Sequence, residues 1–236
     1  MPDCPAVTHV FFDLDHTLWD FDRNAADTLR ALHTAYDFGR WFPADAFVTT
    51  YTHINHQAWE RFHRGLITQT ELRGSRFADT FRALGADPAR VPVGFGETFI
   101  AECSGRAATL PHAHTVLAGL MRRGYRLHIV TNGFRDSQHR KLAASGLAGF
   151  FGEVVTTDCA GCAKPDPRIF HHALERTGAT PAASWMVGDS LAADARGALA
   201  AGWAAGVWFN PAREARPAPE PVTHDIADLR ELLKLL

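Results

Sequence analysis

Carboxylates stand directly after two apolar segments of this 236-residue sequence. Asp13 and Asp15 lie at the end of the apolar run 8–14, and Asp189 follows the run 184–187. Two carboxylates two residues apart on a strand point to the same side, where they would repel each other unless a cation lay between them or one held a proton. A hard dication such as Mg²⁺, which takes a few carboxylates and several waters, suits these aspartates. The pattern therefore predicts a Mg²⁺ site.

The same aspartates, together with a second polar segment, could carry phosphoryl transfer. Asp13 would attack phosphorus as the nucleophile, while Asp15 would serve as acid toward the leaving oxygen and as base toward water. Thr131 offers a hydroxyl, and the backbone N–H groups around Asn132 and Gly133 could bind phosphate oxygens. Together these residues predict a catalytic and phosphate-binding site.

Lysine is rare in this chain. The basic residues are almost all arginine, and the three lysines are Lys141, Lys164 and Lys234. Lys164 lies in the segment GCAKPDP, where it would place positive charge beside a phosphoryl group, on which negative charge accumulates. Asp194, near the start of a predicted helix, could hold Lys164 or a metal-bound water. Lys164 is therefore predicted to bind phosphate and to neutralise its charge.

Strand and helix patterns alternate through most of the chain. Strands are predicted at 8–14, 125–131, 152–157, 184–187 and 205–209, helices at 111–123, 136–145, 166–178, 190–202 and 226–236, and a surface loop at 211–221. Repeated βα units of this length predict an α/β fold, a doubly wound parallel sheet with helices on both faces. Active sites in such sheets lie beyond the carboxyl ends of the strands, where the polar residues named above are expected.

A helical insertion separates the first strand from the rest of the sheet. Apolar residues recur at helical spacing between residues 24 and 104, and Thr68 with Glu71 matches a capping box. The sequence thus predicts two domains, a catalytic core of residues 1–20 and 106–236 and a helical cap of residues 21–105. Most aromatic residues of the cap are expected in its core. The ones considered are Trp41, Phe42, Tyr51, Trp59 and Phe62. Trp59 and Phe62 are the candidates to stack on a substrate base.

Composition excludes several other classes of protein. Hydrophobic residues make up 46% and charged residues 21% of the chain, which is ordinary for a globular protein. A net charge of −2 gives no cationic field for a nucleic-acid polymer or an anionic membrane. The N-terminal segment lacks the pattern of a secretory signal, the apolar stretch 197–209 is too short to span a bilayer, and four cysteines do not make a disulfide framework. We therefore expect a cytoplasmic protein without a membrane partner, and the pattern leaves its oligomeric state open.

Four motifs, in chain order, resemble those of the haloacid dehalogenase-like (HAD) hydrolase superfamily. They are FFDLDHTL, IVTNG, AKPDP and VGDSLAAD, and the helical insertion lies where that superfamily places a type-1 cap. The resemblance implies a Rossmann-like core and a Mg²⁺-dependent reaction through an aspartyl-phosphate. It also implies these roles: Asp13 as nucleophile and metal ligand, Asp15 as acid/base and, through its carbonyl, metal ligand, Thr131 as phosphate binder, Lys164 as charge neutraliser, Asp189 as metal ligand and Asp194 as a supporting residue.

Finer similarity favours one branch of that superfamily. The segments HTLWDFD, TNGF, KPDPRIFHHALE and VWFN resemble the pyrimidine 5′-nucleotidases that act on noncanonical nucleotides, so the implied substrate is a small phosphate ester, a pyrimidine nucleoside monophosphate. The sialic acid 9-phosphatase branch shares several of these segments, which keeps a sugar phosphate open. A 2-haloacid dehalogenase would need neither an acid at Asp15 nor a metal ligand at Asp189. A non-catalytic binding protein is disfavoured because every expected chemical position is filled.

Three smaller features of the loops leave alternatives open. Thr17 could support catalysis, or it could simply orient Asp15 or cap the turn. His16 departs from the small or acidic residues common at this position in the superfamily and could alter the pocket beside the acid. Cys159 and Cys162 form a CxxC pair without the second pair of a structural zinc site, so they are interpreted as loop cysteines whose joint oxidation could lower activity.

Overall fold

A parallel β-sheet forms the centre of the computed structural model, which describes residues 7–215 and 222–236. Its strands within those ranges are β1 (His9–Phe12), β2 (Arg126–Thr131), β3 (Phe151–Thr156), β4 (Ser184–Gly188), β5 (Ala205–Phe209) and β6 (His224–Ile226). Their order is β3-β2-β1-β4-β5-β6, and all neighbours run parallel. The chain builds the sheet outward from β1 to one side and then to the other. The predicted doubly wound α/β fold is therefore confirmed.

Contacts within the chain divide it into two compact units. One comprises Met1–Phe21 and Ala107–Leu236 and contains the sheet, and the other comprises Asp22–Arg106 and is helical. The helices of this part of the chain are α1 (Phe21–Ala35), α2 (Ala44–His63), α3 (Gln69–Ala83) and α4 (Phe95–Ser104). The predicted capping box opens α3, where the Thr68 hydroxyl accepts a hydrogen bond from the Glu71 N–H and the Glu71 carboxylate accepts one from the Thr68 N–H.

Aromatic rings fill the interior of the helical unit. The Phe38 ring centroid lies 5.0 Å from that of Phe81, and the Tyr51 ring stacks on Phe77 at 4.7 Å. These side chains are almost fully buried, and aromatic pairs of this kind add about 0.5–1.5 kcal/mol each beyond the burial of their area. Packing of aromatic residues therefore holds this unit together.

The cap aromatics singled out from the sequence divide into two groups. Phe42 and Tyr51 belong to the buried core, whereas Trp41, Trp59 and Phe62 remain partly exposed. An arginine guanidinium lies over the Trp41 ring at 4.6 Å, and the rings of Trp59 and Phe62 contact each other edge to face at 5.7 Å. A role for the last two in stacking on a base stays a prediction.

The remaining helices are α5 (Ala113–Arg122), α6 (Arg135–Ala144), α7 (Thr157–Ala160), α8 (Pro167–Thr177), α9 (Gly197–Ala200) and α10 (Leu232–Leu235). In the main core, Ile169 and Phe170 of α8 join Phe11 and Met186 of the central strands in one buried cluster. Parallel strands are covered on both faces, which explains their continuous apolar character. Within the described ranges, no helix is long and apolar enough to cross a membrane.

The predicted helix 226–236 is wrong at its start. The segment His224–Ile226 pairs with β5 as β6, and the backbone N–H of Asn210 donates to the last carbonyl of that strand at 2.7 Å. The open hydrogen-bonding edge of β5 recruits this segment, and a sequence pattern does not show such an edge. The helical turn that follows begins after Asp228, whose side chain caps it. Of the predicted loop 211–221, the last six residues lie outside the described ranges.

The predicted helix 190–202 begins as expected but is not uniform. The Ser190 hydroxyl accepts a hydrogen bond from the Ala193 N–H at 3.1 Å, as a capping residue does. The segment Leu191–Arg196 is nevertheless π-helical, and α9 follows it. Wide turns of this kind occur often at functional sites, and Asp194 lies in this one.

Two histidines, His9 in β1 and His128 in β2, are buried side by side in the sheet. The His9 Nδ1 and His128 Nε2 atoms are 3.1 Å apart, and the rings stack with centroids 5.2 Å apart. Burial, reinforced by the neighbouring His9, lowers the pKa of His128 to about 4. Burial, with help from the charge of Arg126, also lowers the pKa of His9. The folded chain therefore favours neutral imidazole at both positions.

We predict that the stability contributed by the neutral pair His9 and His128 is lost as the pH is lowered from about 7 toward 4. The unfolded chain protonates His128 near its ordinary pKa of 6.5, whereas the folded chain does so only near 4. The stability contribution is therefore complete above the unfolded value and is lost as the pH falls below it. Urea unfolding of His128→Gln should show a flatter pH dependence than the wild-type chain. The control His171→Gln removes an exposed imidazole and should keep the wild-type slope; an unchanged slope in His128→Gln would contradict the prediction.

Candidate active site

Asp13 and Lys164 meet at the buried carboxyl end of β1. The Asp13 N–H donates to the Val187 carbonyl at 2.9 Å, which continues the ladder between β1 and β4 by one residue. The Lys164 ammonium donates to Asp13 Oδ1 at 2.6 Å and to the Val130 carbonyl at 2.7 Å. Only 2% of Lys164 is exposed, so this ion pair lies in a medium of low polarity, where charge–charge contacts are strong.

Asp194 is the second carboxylate on the same lysine. Its Oδ1 lies 2.6 Å from Lys164 Nζ, and its Oδ2 accepts a hydrogen bond from the Ser190 N–H at 3.0 Å. The expectation that Asp194 could hold Lys164 agrees with this contact. Gly188 makes room for it, because a Cβ at that position would lie 2.2 Å from Asp194 Oδ2. The glycine before Asp189 is thus required by the approach of a carboxylate.

Thr17 orients Asp189. The Thr17 hydroxyl accepts a hydrogen bond from the Asp189 N–H at 3.0 Å and lies 3.3 Å from Asp189 Oδ1, to which it donates. The indole N–H of Trp208 donates to the Asp189 carbonyl at 2.8 Å. The contact of Thr17 with Asp189 is not one that the sequence predicts, and a role for Thr17 in catalysis stays a prediction.

The cluster carries more negative than positive charge. Burial raises the pKa of Asp13 well above its usual range; Lys164 opposes that rise, while Asp194 and Asp189 add to it. Burial, with the charge of Asp194, raises the pKa of Asp189 to about 7. The two acidic neighbours hold the pKa of Lys164 above its ordinary value in spite of burial. One ammonium therefore faces three carboxylates, and a divalent cation would offset the excess.

The donor set fits Mg²⁺ when a backbone oxygen is included. No group of three His, Cys, Asp or Glu side chains in the described ranges is placed to hold a metal by side chains alone. The ligands implied by the resemblance are the Asp13 and Asp189 carboxylates and the Asp15 carbonyl, which is two side chains and one main-chain oxygen. Mg²⁺ commonly binds one or two carboxylates and keeps several waters, so this set suits it.

Asp15 has a lysine of its own. Its carboxylate accepts hydrogen bonds from Lys141 Nζ at 2.7 Å to each oxygen and from Gln138 Nε2 at 3.0 Å. Burial alone would raise the pKa of Asp15, but the charge and hydrogen bonds of Lys141, together with the Gln138 amide, leave it below its ordinary value. The expectation that Asp13 and Asp15 share one cation is therefore incomplete, because each carboxylate contacts a separate ammonium.

The sequence pattern indicates no role for Gln138 or Lys141. Both lie three residues apart on one face of α6, and Lys141 is one of three lysines in the chain. That rarity was the available signal. It did not reveal the partner, because the contact joins residues more than 120 positions apart.

Residues at and after the end of β2 make hydrogen bonds that hold the neighbouring backbone in place. The Gly133 N–H donates to the Thr131 hydroxyl at 3.1 Å, and Thr131 is buried. The Asn132 side chain accepts from the Lys164 N–H at 2.7 Å and donates to the Lys164 carbonyl at 3.0 Å. Asn132 therefore holds the backbone of Lys164 in place, a role that the sequence did not indicate. Phosphate binding by these residues stays a prediction.

Asp158, another carboxylate that follows a strand, contacts the start of α6. It accepts hydrogen bonds from the Arg135 N–H at 3.1 Å and from the Thr156 hydroxyl at 2.6 Å. Because it satisfies a backbone N–H at the start of α6, it acts as a helix cap. Asp158 thus provides a matched carboxylate for control experiments.

The structure shows the backbone conformation of His16 and the state of the two CxxC cysteines. His16 has a left-handed backbone conformation with φ 62°, and its ring lies 5.0 Å from Phe21. Such a conformation is uncommon for a residue with a side chain and is often found at functional sites.

Cys159 and Cys162 are free thiols, and burial raises the pKa of Cys162. A redox role for the two cysteines stays a hypothesis.

We predict that Lys164→Met lowers the free energy of unfolding by about 3–5 kcal/mol in metal-free buffer near pH 8, because it leaves buried carboxylates without their ammonium. Urea unfolding with a chelator present measures this loss. The double variant Lys164→Met/Asp194→Asn should recover part of it, and Lys234→Met, at an exposed lysine, should change stability by less than about 0.5 kcal/mol. A Lys164→Met chain as stable as wild type would show that the cluster does not depend on this charge.

The chain is similar to a known family of hydrolases and to several of its members. A family model described as haloacid dehalogenase-like hydrolase matches residues 7–202. The pyrimidine 5′-nucleotidase YjjG of Escherichia coli (strain K12) is 32% identical over 230 residues, 96% of each chain. The N-acylneuraminate-9-phosphatase of Mus musculus is 29% identical over 239 residues, which covers 98% of this chain and 94% of that protein.

A solved structure shows the same fold. The crystal structure of the HAD-hydrolase YfnB from Bacillus subtilis, bound to magnesium, matches with a TM-score of 0.84 at 26% identity, covering 98% of this chain and 99% of that one. The family match extends over most of the chain and includes every residue of the cluster around Lys164. The chain therefore belongs to the haloacid dehalogenase-like hydrolase family.

Proposed function

We propose that this hydrolase is a Mg²⁺-dependent phosphomonoesterase that works through a phosphorylated Asp13. The observation that carries the proposal is the contact of Asp13 with Lys164 at 2.6 Å, at the buried carboxyl end of β1. A carboxylate nucleophile must be ionised, and Lys164 opposes the rise in the pKa of Asp13 that burial causes. The positive charge of a bound Mg²⁺ would oppose that rise further. The same ammonium would stabilise negative charge on the phosphoryl oxygens during transfer.

In the first step, a carboxylate oxygen of Asp13 forms a bond to phosphorus while the bond from phosphorus to the leaving oxygen breaks. Asp15, in its protonated form, gives its proton to the leaving oxygen, so that an alcohol departs and Asp13 carries the phosphoryl group. The negative charge of the approaching phosphate favours protonated Asp15, because a nearby like charge raises the pKa of a carboxyl group.

In the second step, a water oxygen attacks the phosphorus on Asp13, and Asp15 takes the proton that this water loses. The bond from phosphorus to the Asp13 oxygen breaks, which releases inorganic phosphate and restores the carboxylate. The contact with Lys141 favours the ionised Asp15 that this step requires. The proton gained here is the one that Asp15 supplies in the next turnover.

Residues after β2 and Lys164 would bind the transferring phosphate. The Thr131 hydroxyl, which accepts from the Gly133 N–H, has its own proton left to donate to a phosphate oxygen. The backbone N–H groups around Asn132 and Gly133 would add further donors. The Asn132 side chain would keep Lys164 at the right distance through its hydrogen bonds to the Lys164 backbone.

Mg²⁺ would be held by the Asp13 and Asp189 carboxylates and by the Asp15 carbonyl. When bound, the ion supplies positive charge that offsets the charge of the phosphate. Thr17 would orient Asp189 for this purpose through its two contacts, and Asp194 would keep Lys164 beside Asp13.

The proposed substrate is a pyrimidine nucleoside 5′-monophosphate, and the helical unit 22–106 is proposed to act as the cap that selects it. The similarity to YjjG over nearly the whole chain supports this choice. An N-acylneuraminate 9-phosphate is the second candidate, because the mouse phosphatase matches over a comparable length. Dehalogenation of a 2-haloacid is disfavoured, since it would leave Asp15 and Asp189 without a chemical role.

We predict that the protein releases phosphate from UMP, dUMP or TMP, in the presence of Mg²⁺, in preference to N-acetylneuraminate 9-phosphate, phosphoglycolate and hexose phosphates. Asp13→Asn should lower kcat by at least about 1,000-fold, because it removes the nucleophile and keeps its shape. The matched control Asp158→Asn changes a carboxylate at the start of α6 and should keep most of the activity. Release only from sugar phosphates would overturn the substrate, and no release from any ester would overturn the proposed function.

We predict that Mg²⁺ raises the free energy of unfolding of the wild-type chain, by about 2.7 kcal/mol at a concentration roughly 100 times its Kd. Asp189→Asn should lose most of this increment, because it replaces a charged ligand with a neutral one. Asp158→Asn should keep it. Urea unfolding with and without Mg²⁺ measures the increment, and its full retention in Asp189→Asn would exclude the proposed metal site.

A further inference from the structure

The Asp15 carboxylate is held by two side chains of one helix. Lys141 Nζ lies 2.7 Å from both carboxylate oxygens, and Gln138 Nε2 lies 3.0 Å from one of them. These donors approach from α6, whereas Asp15 lies in the loop after β1. Three hydrogen bonds from fixed positions on a helix allow a carboxylate little freedom to turn.

Lys141 is itself fixed by its surroundings. It is 6% exposed, and its ammonium lies 4.6 Å from the centroid of the Trp19 ring and 5.7 Å from that of Phe21. Such cation–π contacts add attraction of about 0.5–2 kcal/mol and favour this position of the ammonium. A buried lysine loses much side-chain entropy, and the contacts with Asp15 and the two rings must offset that loss.

Gln138 depends on a glycine in the segment after β2. A Cβ added to Gly133 would lie 1.7 Å from Gln138 Nε2 and 2.5 Å from its Cδ. Any larger residue would therefore displace the amide that reaches Asp15. The glycine has a second reason to be there, apart from the phosphate contact proposed for its N–H.

We infer that Lys141 and Gln138 are positioning residues of the phosphatase reaction, which hold the Asp15 carboxyl group where it transfers a proton to the leaving oxygen. The inference rests on the proposed function, because Asp15 has this task only in phosphate ester hydrolysis. Lys164 and Lys141 then have separate tasks: the first serves the nucleophile Asp13, and the second serves the acid/base Asp15.

The leaving group separates positioning from a merely structural role. Benzyl phosphate releases an alcohol oxygen that needs a proton as its bond to phosphorus breaks, whereas p-nitrophenyl phosphate releases a stabilised anion that needs none. The value of kcat/KM reports the reaction up to departure of the leaving group. A misplaced Asp15 therefore slows the first ester and spares the second, while a loosened fold slows both.

The experiment measures kcat/KM for both esters, with Mg²⁺, in the wild-type chain and in Lys141→Met, whose side chain keeps the apolar stem. We expect Lys141→Met to lose about 100-fold or more on benzyl phosphate and no more than about 3-fold on p-nitrophenyl phosphate. Lys141→Arg should recover much of the selective loss, since it restores a charged donor. Gln138→Leu should show a smaller loss of the same kind, and Arg140→Met, at an exposed residue of α6, should change neither value.

Each outcome decides the question. Equal losses on both esters, or no loss in either Lys141→Met or Gln138→Leu, would overturn the inference and leave the proposed function standing. If Lys141→Met does not fold, Gln138→Leu and Lys141→Arg carry the same comparison. A wild-type chain that hydrolyses neither these esters nor the nucleotides would overturn the proposed function and the inference with it.

Discussion

The buried ammonium of Lys164 connects three parts of the chain that are distant in sequence. It contacts Asp13 after β1, the Val130 carbonyl at the end of β2, and Asp194 in the π-helical turn after β4. A charge with 2% exposure is tolerated only when its partners surround it, so the three strand ends must stay together for the fold to be stable. The doubly wound sheet meets this need, because parallel strands bring their carboxyl ends to one edge.

Around that ion cluster, small residues and backbone groups decide where each carboxylate can lie. Gly188 leaves space for Asp194, Thr17 orients Asp189, and the Asn132 side chain holds the Lys164 backbone. The result is an excess of buried negative charge beside a single ammonium. This excess is the electrostatic basis for the proposed Mg²⁺ site, and the family to which the chain belongs is consistent with it.

A second ion pair joins Lys141 to Asp15. The two aspartates stand two positions apart, yet each contacts a different lysine from a different element. Burial raises the pKa of Asp13, whereas the contacts with Lys141 and Gln138 outweigh burial at Asp15 and lower its pKa. A nucleophilic role for Asp13 requires the ionised carboxylate, which the positive charge of an ion at the proposed Mg²⁺ site would favour.

The sequence by itself determined the α/β class, the doubly wound parallel sheet, and the motif residues that follow the strands. Buried strands and strand-end turns depend on local composition and spacing, which a sequence displays directly. Only the tertiary structure decided which groups touch: Gln138 and Lys141 on Asp15, Asn132 on Lys164, and the recruitment of His224–Ile226 as β6. These contacts depend on the packing of α6 and on the open edge of β5, and long-range geometry of that kind leaves no periodic pattern in the residues that take part.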